Sequence, residues 1–168
     1  ATVRNLQLQA GVAGSSDTGG LAGGAVNSVL DGISVSGAVS ASSASDSVGG
    51  LVGTASGCTI TSCVNRAAVT GGYAVGGLLG TYGERNEIRY CANTGSVTAT
   101  TTFTGSGNTY AAGGLIGYLG SSNNAVYGEI AHCYSTGVVS GSCLYLGGLI
   151  GSVYYNTVLI QNCYSTGS

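Results

Sequence analysis

One five-residue phrase returns along the whole chain, and a repeat of that kind decides the architecture before any local pattern does. It stands as Gly19-Gly20-Leu21-Ala22-Gly23, Gly49-Gly50-Leu51-Val52-Gly53, Gly76-Gly77-Leu78-Leu79-Gly80, Gly113-Gly114-Leu115-Ile116-Gly117 and Gly147-Gly148-Leu149-Ile150-Gly151. Successive copies start 30, 27, 37 and 34 residues apart. A second phrase trails each one. Its clearest forms are Cys133-Tyr134-Ser135-Thr136-Gly137 and Cys163-Tyr164-Ser165-Thr166-Gly167, and looser forms begin at Cys91, Cys63 and Ile33. A partial copy over residues 7–13, aligned on Gly11, opens the chain. Three residues ahead of the cysteine position stands an aliphatic residue: Leu30, Ile60, Ile88, Ile130 or Ile160.

Between glycines the segments are short and rich in Val, Ile, Thr, Ser and Tyr, with no stretch of 3.6-residue periodicity, so they read as strands and turns. Strands returning about every 30 residues predict an all-β fold, a β-solenoid of about five to six coils with parallel stacked strands. Each coil is expected to hold three strands: one at the glycine phrase, one at the aliphatic-to-cysteine stretch and one at Gly-x-Val. Equivalent residues then form ladders along the axis. Leu21, Leu51, Leu78, Leu115 and Leu149 make one, the aliphatics at 30, 60, 88, 130 and 160 a second, and Val39, Val69, Val97 and Val139 a third. The phrase glycines are expected at corners, where φ > 0 or close backbone approach excludes a side chain. A β-sandwich, the main rival, needs hairpin turns such as Asn-Gly or Asp-Gly, and Asp31-Gly32 is the sole pair of that kind. Residues 1–168 read as one domain, with a partial coil over 1–18.

Composition narrows the function classes. Thirty-two glycines without proline or a glycine-every-third pattern exclude collagen. A hydrophobic share of 43% against 6% charged favours burial over disorder. Four arginines at a net charge of −2 form no basic patch for nucleic acid, and no apolar run reaches the roughly 18 residues of a membrane-spanning helix. The start, Ala1-Thr2-Val3-Arg4, reads as a mature or excised segment.

The Gly-Leu-(aliphatic)-Gly phrase with its trailing Cys-Tyr-Ser-Thr-Gly resembles the GLUG-motif repeats of bacterial surface proteins. Such repeats occur in adhesin-like proteins and in non-catalytic parts of some immunoglobulin A peptidases. The resemblance spans nearly the whole chain; it is tightest in the last three copies and looser in the first two. It implies an extracellular or cell-surface location and an adhesive or structural role.

Cys63, Cys91, Cys133 and Cys163 share one repeat position, which Ile33 fills in an earlier coil, so the site is apolar and interior. The reading is a column of free thiols, with Cys63–Cys91 or Cys133–Cys163 disulfides as the alternative. A linear column does not converge on a metal, so no metal or cofactor is expected. His132 aligns with Gly32, Ser62, Tyr90 and Asn162, a solvent-facing position, and is poorly placed to act with Cys133 on a strand. The carboxylates Asp17, Asp31, Asp46, Glu84, Glu87 and Glu129 share no repeat position, and Glu84, Arg85, Glu87 and Arg89 read as a charged turn between strands. No His-Glu-x-x-His motif is present. The expectation is a protein that is not an enzyme.

Recognition is assigned to tyrosines and insertions. Tyr73, Tyr110 and Tyr145 precede glycine phrases, and Tyr82, Tyr118 and Tyr154 follow them, either as surface recognition groups or as an aromatic ladder. Insertions over 98–108, carrying Phe103, and over 121–127 project as loops. The expected function is a stalk module of a surface protein or a subunit of a head-to-tail filament. Neither end carries a polar cap, so the ends are expected to continue into more repeats or the next copy. The alternative is a carbohydrate-binding or carbohydrate-cleaving solenoid using the tyrosines and the Glu84–Arg89 patch. Partners are thus another copy of the chain or a host or glycan surface ligand, with no nucleic acid and no membrane insertion.

Overall fold

The structure, a computed structural model, describes residues 1–42, 46–101, 110–120, 126–154 and 156–167. Among these all regular structure is β, and every strand pairing is parallel. The chain winds as a β-solenoid through four sheets. Sheet I stacks Thr2–Arg4, Val29–Asp31, Thr59–Thr61, Asn86–Arg89, Val126–Ala131 and Asn156–Gln161. Sheet II begins with Gln7–Gly14 and Ser34–Ala41. In later turns it splits into short strands such as Val64–Asn65 with Ala68–Gly71, and Ala92–Asn93 with Val97–Ala99. Sheet III stacks Thr18–Gly19, Ser47–Gly49, Ala74–Gly76, Ala111–Gly113 and Tyr145–Gly147, and sheet IV stacks Ala22–Val26, Val52–Ser56, Leu79–Tyr82, Ile116–Gly120 and Ile150–Tyr154. The chain passes five times through all four sheets and starts a sixth turn in sheets I and II.

A fourth sheet exists because the glycine phrase is not one strand. Its first glycine ends sheet III, its second and the leucine turn the chain, and the rest opens sheet IV. The expected ladders are present in register. Leu30, Ile60, Ile88, Ile130 and Ile160 pair in turn, as do Val39, Val69, Val97 and Val139. The leucines bond rung to rung, Leu51 N–H to Leu78 O at 3.0 Å and Leu78 N–H to Leu115 O at 2.8 Å. Their interior members are almost completely buried.

The phrase glycines do not use left-handed backbone; positive φ occurs instead at Gly32, Gly37, Gly57, Gly128 and Gly141. What excludes a side chain is close approach. A Cβ on Gly76 would lie less than 3.0 Å from Leu79 O and Gly117 N, and one on Gly80 as close to Val48 N and Gly53 O. Sheets III and IV therefore lie backbone against backbone, far closer than the roughly 10 Å between sheets separated by side chains. The second glycine of each phrase meets sheet II instead, Gly50 against Asn65 and Gly77 against Asn93.

The left-handed corners belong mostly to other residues. Asn27, Gly57 and Arg85 turn the chain into sheet I, and Asn5, Gly32, Ser62, Tyr90, His132 and Asn162 turn it out, all with φ between 46° and 65°. That conformation strains non-glycine residues, so it needs local support, which the cysteine next in sequence provides at Ser62, Tyr90 and His132, as shown below.

Two alignments shift. In the first turn Leu8 pairs with Val35 and Gly11 with Ala38, one residue from the match of Gly11 to Gly37. Alternating burial of Leu6, Leu8, Ala10 and Val12 outweighs glycine identity, and a one-residue slip would turn that set outward. Within residues 1–18, read as a partial coil, Thr2–Arg4 and Gln7–Gly14 supply sheets I and II of a turn that runs through all four.

Tyr82 is a correction. Read as a surface recognition residue, it is fully buried, in the column that holds Ala55 and Leu119 in adjacent turns. Its hydroxyl donates toward Asn86 O and Tyr127 O, and Gly128 leaves room, since a Cβ there would collide with the phenol oxygen. Burial holds this phenol well above the ordinary tyrosine range, outweighing the hydrogen bond to Asn86. Its stabilising effect is thus present below the unfolded tyrosine pKa of about 10 and is lost as pH climbs toward the folded value. Tyr82→Phe is expected to cost about 1–2 kcal/mol at pH 7, where two carbonyls lose their donor. It should also flatten the decline between pH 9 and 11, read as urea midpoints at each pH.

Candidate functional site

The thiol column sits at the corner between sheets I and II. Cys58, Cys63, Cys91 and Cys133 are buried, Cys143 and Cys163 half-buried, and all six are free. The thiols do more than fill apolar space. The N–H groups of Cys63, Cys91 and Cys133 each donate to the sulfur one turn on, at 3.4 Å. Each sulfur donates back to the carbonyl two residues before it, as Cys91 Sγ does to Arg89 O at 3.2 Å, and to one in the preceding turn, here Ile60 O at 3.5 Å. The carbonyl before and the amide after Ser62, Tyr90 and His132 are thereby satisfied. Cys58 does the same at the other corner, its N–H donating to Asn86 Oδ1 at 2.9 Å and its sulfur to Ala25 O and Ser56 O.

Burial shields these thiols, although hydrogen bonds with the Cys91 side chain hold Cys63 and Cys133 below the ordinary range. Hydrogen bonds with Cys133 and Cys63, then burial, hold the Cys91 thiol well above its ordinary value, and burial pushes Cys143 and Cys163 up. Only the thiolate attacks. A disulfide reagent at pH 7.5 is expected to modify Cys143 and Cys163 slowly and the other four only after unfolding. Fast reaction of more than two thiols in native protein would contradict the packing.

Buried amides form a second polar column. Asn65 Nδ2 donates to Ala67 O at 3.0 Å and to Asn93 Oδ1 at 2.8 Å, while Ala67 N–H donates to Asn65 Oδ1. Asn93 repeats the pattern with Gly95, and Ser135 continues the column at 3.5 Å.

The charged patch differs from expectation. Glu87 and Arg89 lie within the sheet I strand Asn86–Arg89, not in a turn, and Glu87 pairs in register with Glu129, so two carboxylates do share a column. The strand reads as a turn in the sequence because it is short and its charged residues alternate with only Asn86 and Ile88. Arg89 sits between the acids: Nη1 is 3.0 Å from Glu87, and Nε is 3.1 Å from Glu129, which Nη2 also contacts. Gln161 Nε2 donates to Glu129 at 2.6 Å. The hydrogen bond from Arg89 holds the Glu129 carboxyl below its ordinary range. One guanidinium thus bridges two stacked carboxylates, and the trio keeps a net charge of −1. Among the described residues no group of three or more His, Cys, Asp or Glu converges as a metal site, and no helix is long and apolar enough to cross a membrane.

The aromatic residues separate into two places. Tyr73 and Tyr110 meet edge to face, centroids 5.3 Å apart, at the start of sheet III. Tyr118 and Tyr154 lie on the facing strands of sheet IV, and Tyr145 opens the last strand of sheet III. Tyr118 is half-buried; Tyr145 and Tyr154 are more exposed. Phe103 lies outside the described residues, as do most of both insertions. A second aromatic group escaped the sequence reading. Tyr90 stacks on His132 at 5.0 Å, and Tyr134 on Tyr164 at 5.2 Å, flanking the cysteine corner. The signal was present, since both pairs occupy fixed positions around the cysteine in successive phrases. His132 is exposed as expected, but at a left-handed corner rather than on a strand.

No family model matches this chain, and no curated protein matches it. The fold is shared with a crystal structure described as that of a "putative immunoglobulin A1 protease" from Bacteroides ovatus, with a TM-score of 0.58 at 18% identity. The match covers 97% of this chain and 57% of that one, so this chain corresponds to little more than half of a longer protein. At that identity the likeness concerns the fold.

Proposed function

We propose that this chain is a structural spacer: a β-solenoid stalk module of an extracellular or surface protein, with GLUG-type repeats. One observation carries the reading. The chemically versatile side chains that recur from turn to turn, thiols and buried amides, are spent on coil-to-coil hydrogen bonds. The solenoid neighbour, whose matching part is 57% of its length, supports a module within a larger protein.

The spacer reading includes end-to-end stacking. On the last coils Leu146 is 48%, Val153 55% and Ile160 41% exposed, whereas Ala112, Leu119 and Ile130 in the same columns are fully buried. A further coil, of the same chain or of a second copy, covers such a face column by column. Sedimentation velocity across a hundredfold concentration range is expected to show rod-like growth that the pair Leu146→Lys and Val153→Glu abolishes. Uniform monomers at the highest concentration would remove self-stacking and leave a rod-shaped spacer; a compact, non-rod monomer by small-angle scattering would remove the spacer itself.

A further inference from the structure

Beside the cysteine corner, one column of sheet II changes character along the axis. Ser34, Val64, Ala92, Tyr134 and Tyr164 pair in turn, so tyrosine lies over tyrosine only in the last two turns. Adjacent residues on a strand point to opposite faces, and Ser135, next to Tyr134, is fully buried. Both phenols therefore stand on the outer face. Their rings are stacked, with centroids 5.2 Å apart and planes 6° from parallel. Tyr134 is half-buried and Tyr164 is 55% exposed. Among the described residues this is the one strand pairing that sets tyrosine on tyrosine. Tyr118 pairs with Thr81 and Ser152, Tyr154 with Gly120 and Tyr127 with Thr157, while Tyr73 and Tyr110 meet edge to face at 73°.

We propose that Tyr134 and Tyr164 are a site of oxidative cross-linking, joined as dityrosine by hydrogen peroxide acting through a haem peroxidase. Each phenol gives up one electron and its hydroxyl proton, which leaves a radical with unpaired spin on the ring carbons ortho to the oxygen. Two such radicals form one carbon–carbon bond between ortho carbons. The hydrogens on those carbons then move to the oxygens and restore both hydroxyls. In sum the pair loses two electrons and two protons, and one peroxide takes them up to become two waters. Three features select this pair. Exposure of the Tyr164 ring lets an external oxidant reach it. Paired strands hold the two rings one rung apart, about 4.8 Å, so coupling proceeds at an effective concentration that encounters between dilute molecules do not reach. Parallel planes set ortho edge beside ortho edge, which the edge-to-face contact of Tyr73 and Tyr110 does not. The bond ties the last turn to the one before it and closes the chain between positions 134 and 164, much as a disulfide closes a loop.

A haem peroxidase with limiting hydrogen peroxide, applied to dilute native protein, tests this. Dityrosine fluorescence is expected in the band that runs as a single chain on a denaturing gel. Elastase should then release peptides carrying Tyr134 and Tyr164 joined, two hydrogens lighter than the sum of the separate peptides. Tyr134→Phe and Tyr164→Phe keep the stacked ring and remove the hydroxyl that starts the coupling, so each should abolish the joined peptides without disturbing the fold. Tyr110→Phe should leave them in place. Fluorescence confined to bands of two or more chains, joined peptides that persist in either column variant, or no dityrosine at all overturns the inference. None of these outcomes bears on the spacer reading, which rests on the interior.

Discussion

Gly76→Ala is expected to destabilise the protein by about 3 kcal/mol or more, the upper end of overpacking penalties. The added methyl would lie less than 3.0 Å from Leu79 O and Gly117 N. Both are backbone atoms of paired strands, so no side chain can rotate away, and relief requires parting sheets III and IV over at least two turns. Gly11→Ala is the matched control: nothing lies within 4 Å of its Cβ and its φ is not left-handed. It should be neutral or stabilising by up to about 1 kcal/mol through the unfolded chain. Thermal unfolding followed at 218 nm separates the two. Equal melting temperatures would show that the two sheets are not in backbone contact.

Asn93→Ala carries the second large effect, about 3–5 kcal/mol. Its amide caps both Gly95 N–H and Gly95 O and accepts from Asn65 Nδ2, all buried. Truncation removes this partner from Gly95 N–H and Gly95 O and leaves Asn65 Nδ2 with Ala67 O alone, in a site closed to water, at about 1–3 kcal/mol for each lost hydrogen bond before relaxation. Asn93→Ser should cost less, because Ser135 and Ser165 occupy this column in the next turns. A fall in urea midpoint with an unchanged m-value is the expected signature. A midpoint within error of wild type would mean that water or a shifted backbone satisfies those groups.

Most of the fold was legible because a solenoid repeats its solution in the sequence. Comparing Leu51 with Leu78 and Leu115, or Ile60 with Ile88 and Ile130, shows which positions are interior without knowing any angle. What failed were inferences from one copy alone. Gly11 drew the first phrase one residue out of register, because a glycine match looks stronger than the weaker alternation of Leu6, Leu8 and Val12. Tyr82 resembled its neighbours in the phrase, yet its column holds Ala55 and Leu119, and the glycine that accommodates it, Gly128, lies 46 positions later. Arg89 and Glu129 meet only through stacking, and no spacing announces such a pair.

The corner thiols have a bearing on how the molecule comes apart. The amides of Cys63, Cys91 and Cys133 each depend on a sulfur in the next turn, and their sulfurs on a carbonyl in the turn before. Such a chain of dependence couples nearest neighbours in one dimension, so a turn is secure only while both its neighbours are folded. Fraying then begins at the two outermost turns and moves inward. Amide exchange should be slowest around Cys91, in the middle of the stack, and fastest at Val3 and Ile160. Lengthening the solenoid would protect each interior turn without altering a residue in it.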